Sequence, residues 1–168
     1  MTKTQKYEAL LPQLKSLCEG EEDRIAKMAN FCALLHQEFG FWWTGFYRVT
    51  PILNCQFRIS RESMSSSKIN FQNSELLLGP FQGPIACVHI AYGRGVCGTA
   101  WKEQRTVVVP DVEEFPGHIA CSSESRSEIV VPVMDGNEVI AVLDIDSREL
   151  GTFDEIDAHY LEQAVSFL

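Results

Sequence analysis

EIVVPVMDGNEVIAVLDIDS, residues 128–147, is the stretch that decides the fold. Two runs rich in β-branched residues flank Asp135-Gly136, a strong signal for a tight turn, so the segment reads as two antiparallel strands joined by a hairpin. Side chains on a strand alternate between faces. Leu143 and Ile145 therefore point one way, and Asp144 and Asp146 the other. Burying two carboxylates without a cation costs several kcal/mol. The acidic face thus asks either for water, as at a sheet edge or hairpin end, or for a positively charged guest. Glu128 opens the partner strand, and the hairpin can bring it beside the two aspartates.

Working outward, Thr152 and Glu155 stand in the order of a capping box. They introduce a closing helix whose apolar positions are Phe153, Ile156, Tyr160, Leu161, Ala164 and Val165. Upstream, FWWTGFYRV (41–49), QFRIS (56–60), ELLLGPF (75–81), ACVHIAY (86–92) and RTVVVP (105–110) carry the same aromatic and β-branched enrichment between Gly, Pro or polar breaks. The count is six or seven strands, with a short helix after Gly95. Near the start, Tyr7, Leu10, Leu14, Leu17 and Cys18 fall at helical spacing, with Pro12 marking a kink or the true beginning. Ile25, Met28, Ala29, Cys32, Leu35 and Phe39 repeat that period up to a stop at Gly40. The expected architecture is a single α+β domain over 1–168: a mostly antiparallel sheet with helices packed on one face. The serine-rich, polar segment from Pro51 to Ser74 reads as a flexible insertion or an extra β-hairpin.

The 168 residues carry a formal net charge of −9, and no run of Lys or Arg can neutralise a row of phosphates. Nucleic acid is an unfavourable partner. The first twenty residues lack the pattern of a secretory signal, and no apolar stretch reaches membrane-spanning length, so a cytoplasmic location without membrane contact is expected. Six cysteines among reduced thiols are expected to be free unless chemistry oxidises them. The absence of CxxC and HExxH spacings points to no metal site.

Cys87 in GPIACVHI, Cys97 in GRGVCGTAW and Cys121 in GHIACSSE lie among glycines and turns. Each fits two readings, a small buried hydrophobe or a reactive thiol. A helix starting near Gly95 would favour a Cys97 thiolate through its free amides. Cys18 and Cys32 sit on apolar helix faces and suit the first reading. Trp43 and Tyr47, four apart in a strand, share a face and suit either plain core packing or the wall of a cation or sulfur site.

WWTGFYRV, LLLGPFQGPIACVHIAYGRGVCGTAW, VVPDVEEFPGHIACSSESRSEIVVPV and VIAVLDIDS together resemble the free methionine-(R)-sulfoxide reductase family, a catalytic branch of the GAF domains. The resemblance implies a six-stranded antiparallel sheet around a small enclosed pocket for free methionine (R)-sulfoxide. It implies Cys121 as the attacking thiol, Cys87 as its resolving partner and Cys97 as a further member of the relay. It also implies Glu128, Asp144 and Asp146 as pocket acids, Trp43 and Tyr47 as the aromatic wall, thioredoxin as reductant, and no metal or organic cofactor. A homodimer is common for such a fold. The alternative is a non-catalytic GAF module that senses a small ligand or redox state.

Overall fold

The computed structural model describes residues 1–52, 73–118 and 123–168. The chain runs through α1 (Lys3–Cys18), α2 (Arg24–Phe39), β1 (Trp43–Pro51), β2 (Ser74–Gln82), β3 (His89–Ala91), α3 (Gly95–Glu103), β4 (Val107–Val109), β5 (Ser127–Asp135), β6 (Glu138–Ser147) and α4 (Glu155–Val165). The strands form one sheet in the order β3-β2-β1-β6-β5-β4. Every neighbouring pair is antiparallel. The two central strands come from distant parts of the chain, which sets the aromatic β1 directly beside the acidic β6.

The β5–β6 hairpin forms as the sequence predicts. Asp135 pairs with Glu138, so the loop is the dipeptide Gly136-Asn137. Gly136, at φ 61°, occupies the first central position, where a tight hairpin turn favours glycine. A second hairpin joins β1 to β2, and its ladder extends to Pro51 opposite Ser74. Both residues, the boundaries of the insertion expected from sequence, are therefore strand ends. The rest of that insertion, with QFRIS and Cys55, lies outside the described residues apart from Ile52 and Asn73.

Helices cover both faces of the sheet, correcting the expectation of a single helical layer. On one face Phe46, Ile129, Val131, Leu143 and Ile145 pack with Tyr7, Leu10 and Leu14 of α1, Phe31 and Leu35 of α2, and Leu161 of α4. On the other, Tyr47, Val130 and Val142 pack with Val96, Ala100 and Trp101 of α3. The reason is in the strands. β1, β5 and β6 carry apolar residues at both parities, and a strand apolar on both sides must be covered twice.

Helix boundaries show where local signals competed. Helix α1 starts at the reciprocal cap of Thr2 and Gln5 and continues through Pro12. Helix α4 is capped by Asp154 with Asp157, not by Thr152 with Glu155. Thr152 spends its hydroxyl on Ser147 Oγ at 2.7 Å. The shifted start leaves Ile156 exposed and buries Asp157, which accepts from the Tyr7 hydroxyl at 2.8 Å and from Lys3. Leu17 and Ile25 are also exposed rather than packed.

Candidate active site

The α3 face of the sheet is hollow where β1, β5 and β6 meet. Register places Trp43 opposite Asp146 and Gly45 opposite Asp144 on one side of β6, with Glu128 opposite Asp146 on the other. These side chains, with Tyr47 and Cys97, line a cavity of about 50 Å³, several times the ~10–15 Å³ that one water needs. Gly45 makes the aromatic wall possible. A Cβ there would stand 2.3 Å from the Trp43 ring and 2.6 Å from Phe81 Cβ, so only glycine lets the indole lie across its own strand. The Trp43 and Tyr47 rings stack with centroids 5.9 Å apart. Both also hold the loop between β2 and β3: Trp43 Nε1 donates to the Pro84 carbonyl and the Tyr47 hydroxyl to the Cys87 carbonyl, each at 3.1 Å.

The cavity is acidic and its walls are largely buried. Glu128 and Asp144 are each 6% exposed. Burial lifts the Glu128 carboxyl well above the usual carboxylate range, and the charges of Asp144 and Asp146 lift it further. Burial also raises Asp144, followed by the charge of Asp146, against opposing bonds from Cys97 and Glu128. Asp146 is raised less, to about 6, because the Ser125 hydroxyl donates to it and offsets part of its burial. Burial thus favours the protonated form of Glu128 and Asp144 more strongly than that of Asp146. Asp144 Oδ1 is buried without a hydrogen-bond partner among the described residues, and such an atom needs one.

Cys97 reverses a sequence expectation. It occupies the first turn of α3, as predicted, but it is 4% exposed and its Sγ lies 4.0 Å from Glu128 Oε1. Burial pushes its thiol well up, and Asp144 and Glu128 push it further. Desolvation and two carboxyls outweigh the helix amides, so the neutral thiol is favoured.

The structure thus gathers Trp43, Tyr47, Cys97, Glu128, Asp144 and Asp146 around one cavity. Cys87 lies on the adjoining loop, bonded through its carbonyl to Tyr47, and is joined in a disulfide. Cys18 and Cys32 are buried free thiols away from the cavity, Cys32 donating to the Pro80 carbonyl at 3.3 Å. Cys121 lies outside the described residues. Sequence reasoning missed Trp42, Ile85, Arg94, His118 and Ser125, which also line the cavity. These sit in loops or beside strand ends, where no periodicity marks a facing direction. Trp42 bears the Arg148 guanidinium stacked 3.4 Å from its ring centroid, and burial lowers the His118 ring below its ordinary range.

The GAF domain model matches residues 65–167. A free methionine-R-sulfoxide reductase of Escherichia coli is 40% identical over the whole of this chain and 89% of its own length. A GAF domain-containing protein A of Dictyostelium discoideum is 48% identical over 99% of this chain and 92% of its own. Among solved structures, the Neisseria meningitidis free methionine-R-sulfoxide reductase in complex with its substrate superposes with a TM-score of 0.83. It is 44% identical, with 99% of this chain and 88% of that one covered. The fold and the acid-and-thiol cavity accord with these matches: the chain belongs to the GAF domain family and, within it, to the free methionine-R-sulfoxide reductases.

Proposed function

We propose that this chain reduces free L-methionine (R)-sulfoxide in the cavity between β1, β5, β6 and α3, with Cys121 as the attacking thiol. The observation that carries the reading is the division of labour among two buried acids and a third, half-buried one beside an aromatic wall. Ionised Asp146 binds the substrate ammonium, the Trp43 and Tyr47 rings hold the methyl-sulfoxide end, and Arg94 meets the carboxylate. Glu128, protonated when the substrate arrives, delivers its proton to the departing oxygen. Oxygen passes from the substrate sulfur to Cys121 Sγ and the thiol's own proton returns to Glu128, so the substrate is reduced by two electrons, methionine leaves and Cys121 is left as sulfenic acid. Cys87 then attacks that sulfur, water departs, and a disulfide remains for an external dithiol of the thioredoxin kind to reduce. Enclosing both charged ends of a free amino acid excludes the same group inside a peptide. Cys97, the further member of the relay, stands buried in the cavity wall beside Glu128.

The experiment is turnover with a thioredoxin-coupled assay on the separated isomers. Activity on the free (R) isomer, absent with the (S) isomer and with N-acetylated, C-amidated substrate, and abolished in Cys121→Ser, is the expected result. Full activity in Cys121→Ser would reject the assignment of the attacking thiol.

A further inference from the structure

We propose that Cys97, Glu128 and Asp144 form a binding site for a thiophilic divalent cation of the zinc class, and that its occupancy excludes the substrate's ammonium group. Cys97 Sγ and one carboxylate oxygen from each acid all lie within 4.8 Å of one another. They come from α3, β5 and β6, three elements fixed to one another by the sheet and its second core. Zinc accepts this donor set, thiolate at about 2.3 Å and carboxylate oxygen at about 2.0–2.2 Å, so a small inward rotation of side chains closes the shell. A fourth position stays open toward the cavity. The second, independent mark is Asp144 Oδ1, nine-tenths buried, lining the cavity and without a hydrogen-bond partner among the described residues. A cation there would satisfy that oxygen and relieve the crowding of Asp144, Glu128 and neighbouring Asp146. The sulfur selects the metal: thiolate favours zinc or cadmium over magnesium or calcium, which take oxygen ligands alone. Binding displaces to solvent the Cys97 thiol proton together with the protons that burial favours on Glu128 and Asp144, and no oxidant or reductant is consumed. The sequence spacing of these ligands matches no familiar zinc motif, because sheet register and not local spacing assembles them.

The metal site stands on the three side chains alone, whereas exclusion of the ammonium rests on the function proposed above. Cadmium chloride titrated into the oxidised chain, in which Cys87 is held in a disulfide, tests both. The readout is the ultraviolet thiolate-to-cadmium charge-transfer band. The expected result is one equivalent bound and displaced by zinc chloride. The band should be lost in Cys97→Ser and kept in Cys32→Ser. Apparent affinity should fall about tenfold or more in Glu128→Gln and in Asp144→Asn, on the scale seen even for second-layer ligand contacts. No band in the unmodified chain, a band surviving Cys97→Ser, or affinities unchanged in both carboxylate variants would overturn the site. L-Methionine added to the unmodified cadmium complex separates the two claims. Loss of the band supports the shared site, and a band that methionine cannot dislodge overturns the exclusion while leaving the metal site standing.

Discussion

The two faces of β6 make the sharpest contrast in the molecule. Leu143 and Ile145 enter a dry core under α1, α2 and α4, while Asp144 and Asp146, one residue away in each direction, enter the cavity beside α3. Both faces are buried, yet one is stabilising and the other is costly. Apolar burial contributes about 25 cal/mol per Å². Buried carboxyls return nothing comparable until they are protonated or paired. A period of two thus lets one strand serve stability and chemistry without compromise between them.

The largest effect expected comes from the dry face. Leu143→Ala should cost about 2–5 kcal/mol of stability, read from urea unfolding, while the folded protein binds free methionine with unchanged affinity. A large loss of affinity per folded molecule would mean that the faces are not independent.

Across the strand, Asp144→Asn should do the reverse. Asp144 lines the same cavity as Asp146, and a hydrogen bond from the substrate ammonium to it would be worth about 1.5–3 kcal/mol, so methionine affinity by calorimetry should fall ten- to a hundredfold. Stability at pH 8 should hold or rise, because a carboxyl that burial disfavours in its charged form has gone. Destabilisation on the scale of Leu143→Ala would turn the acidic face into ordinary core and remove the contrast.

Gly45→Ala is the subtler test, since it substitutes none of the acids. Its methyl group would meet the Trp43 ring and Phe81 Cβ inside any real contact distance, forcing the indole off the strand at a cost of about 1–3 kcal/mol. The expected signature is a rise in KM larger than any fall in kcat, with a shift in Trp43 fluorescence. An unchanged KM would show that the aromatic wall plays no part in holding substrate.

Much of this contrast was legible in the sequence because strand alternation is local. Asp144 with Asp146 and Trp43 with Tyr47 could be assigned to shared faces from spacing alone, and Asp135-Gly136 located the hairpin that puts Glu128 opposite Asp146. Properties set by contacts between distant segments were not legible. The thiol of Cys97 is raised first by burial and then by Asp144 and Glu128, three and two strands further along the chain, and the helix start that suggested a thiolate lost to them. Ser125, which moderates Asp146, sits in a polar tail with no periodic signal. The cap of α4 went to Asp154 because Thr and Asp have similar local preferences, and the contacts of Asp157 with Tyr7 and Lys3 decided between them.

The smallest predicted effect, in pH, separates the faces without a change in packing. Asp146 has a folded pKa of about 6 against an ordinary 3.8, so between those values the folded chain binds more protons than the unfolded one. Its contribution is present in full below the lower value and is lost as pH rises toward 6. Asp154 runs the other way, held below 3.8 first by its bond to Lys3, so its contribution fades only as pH falls below that value. Lys3 feels burial first, which lowers it. Its bonds to Asp157 and Asp154 prevail, so its contribution is lost only above 10.5. These three windows do not overlap; between pH 4 and 6 the raised Glu128 and Asp144 act in the same direction as Asp146, and His118, lowered by burial from 6.5, acts against them. Unfolding free energy should therefore fall across that interval in the unliganded chain, fall less in Asp146→Asn, and fall least with saturating methionine, whose ammonium favours the ionised carboxylate. Equal slopes in all three would mean that Asp146 ionises in the folded chain as it does in water, and that the cavity has no bias toward a cation.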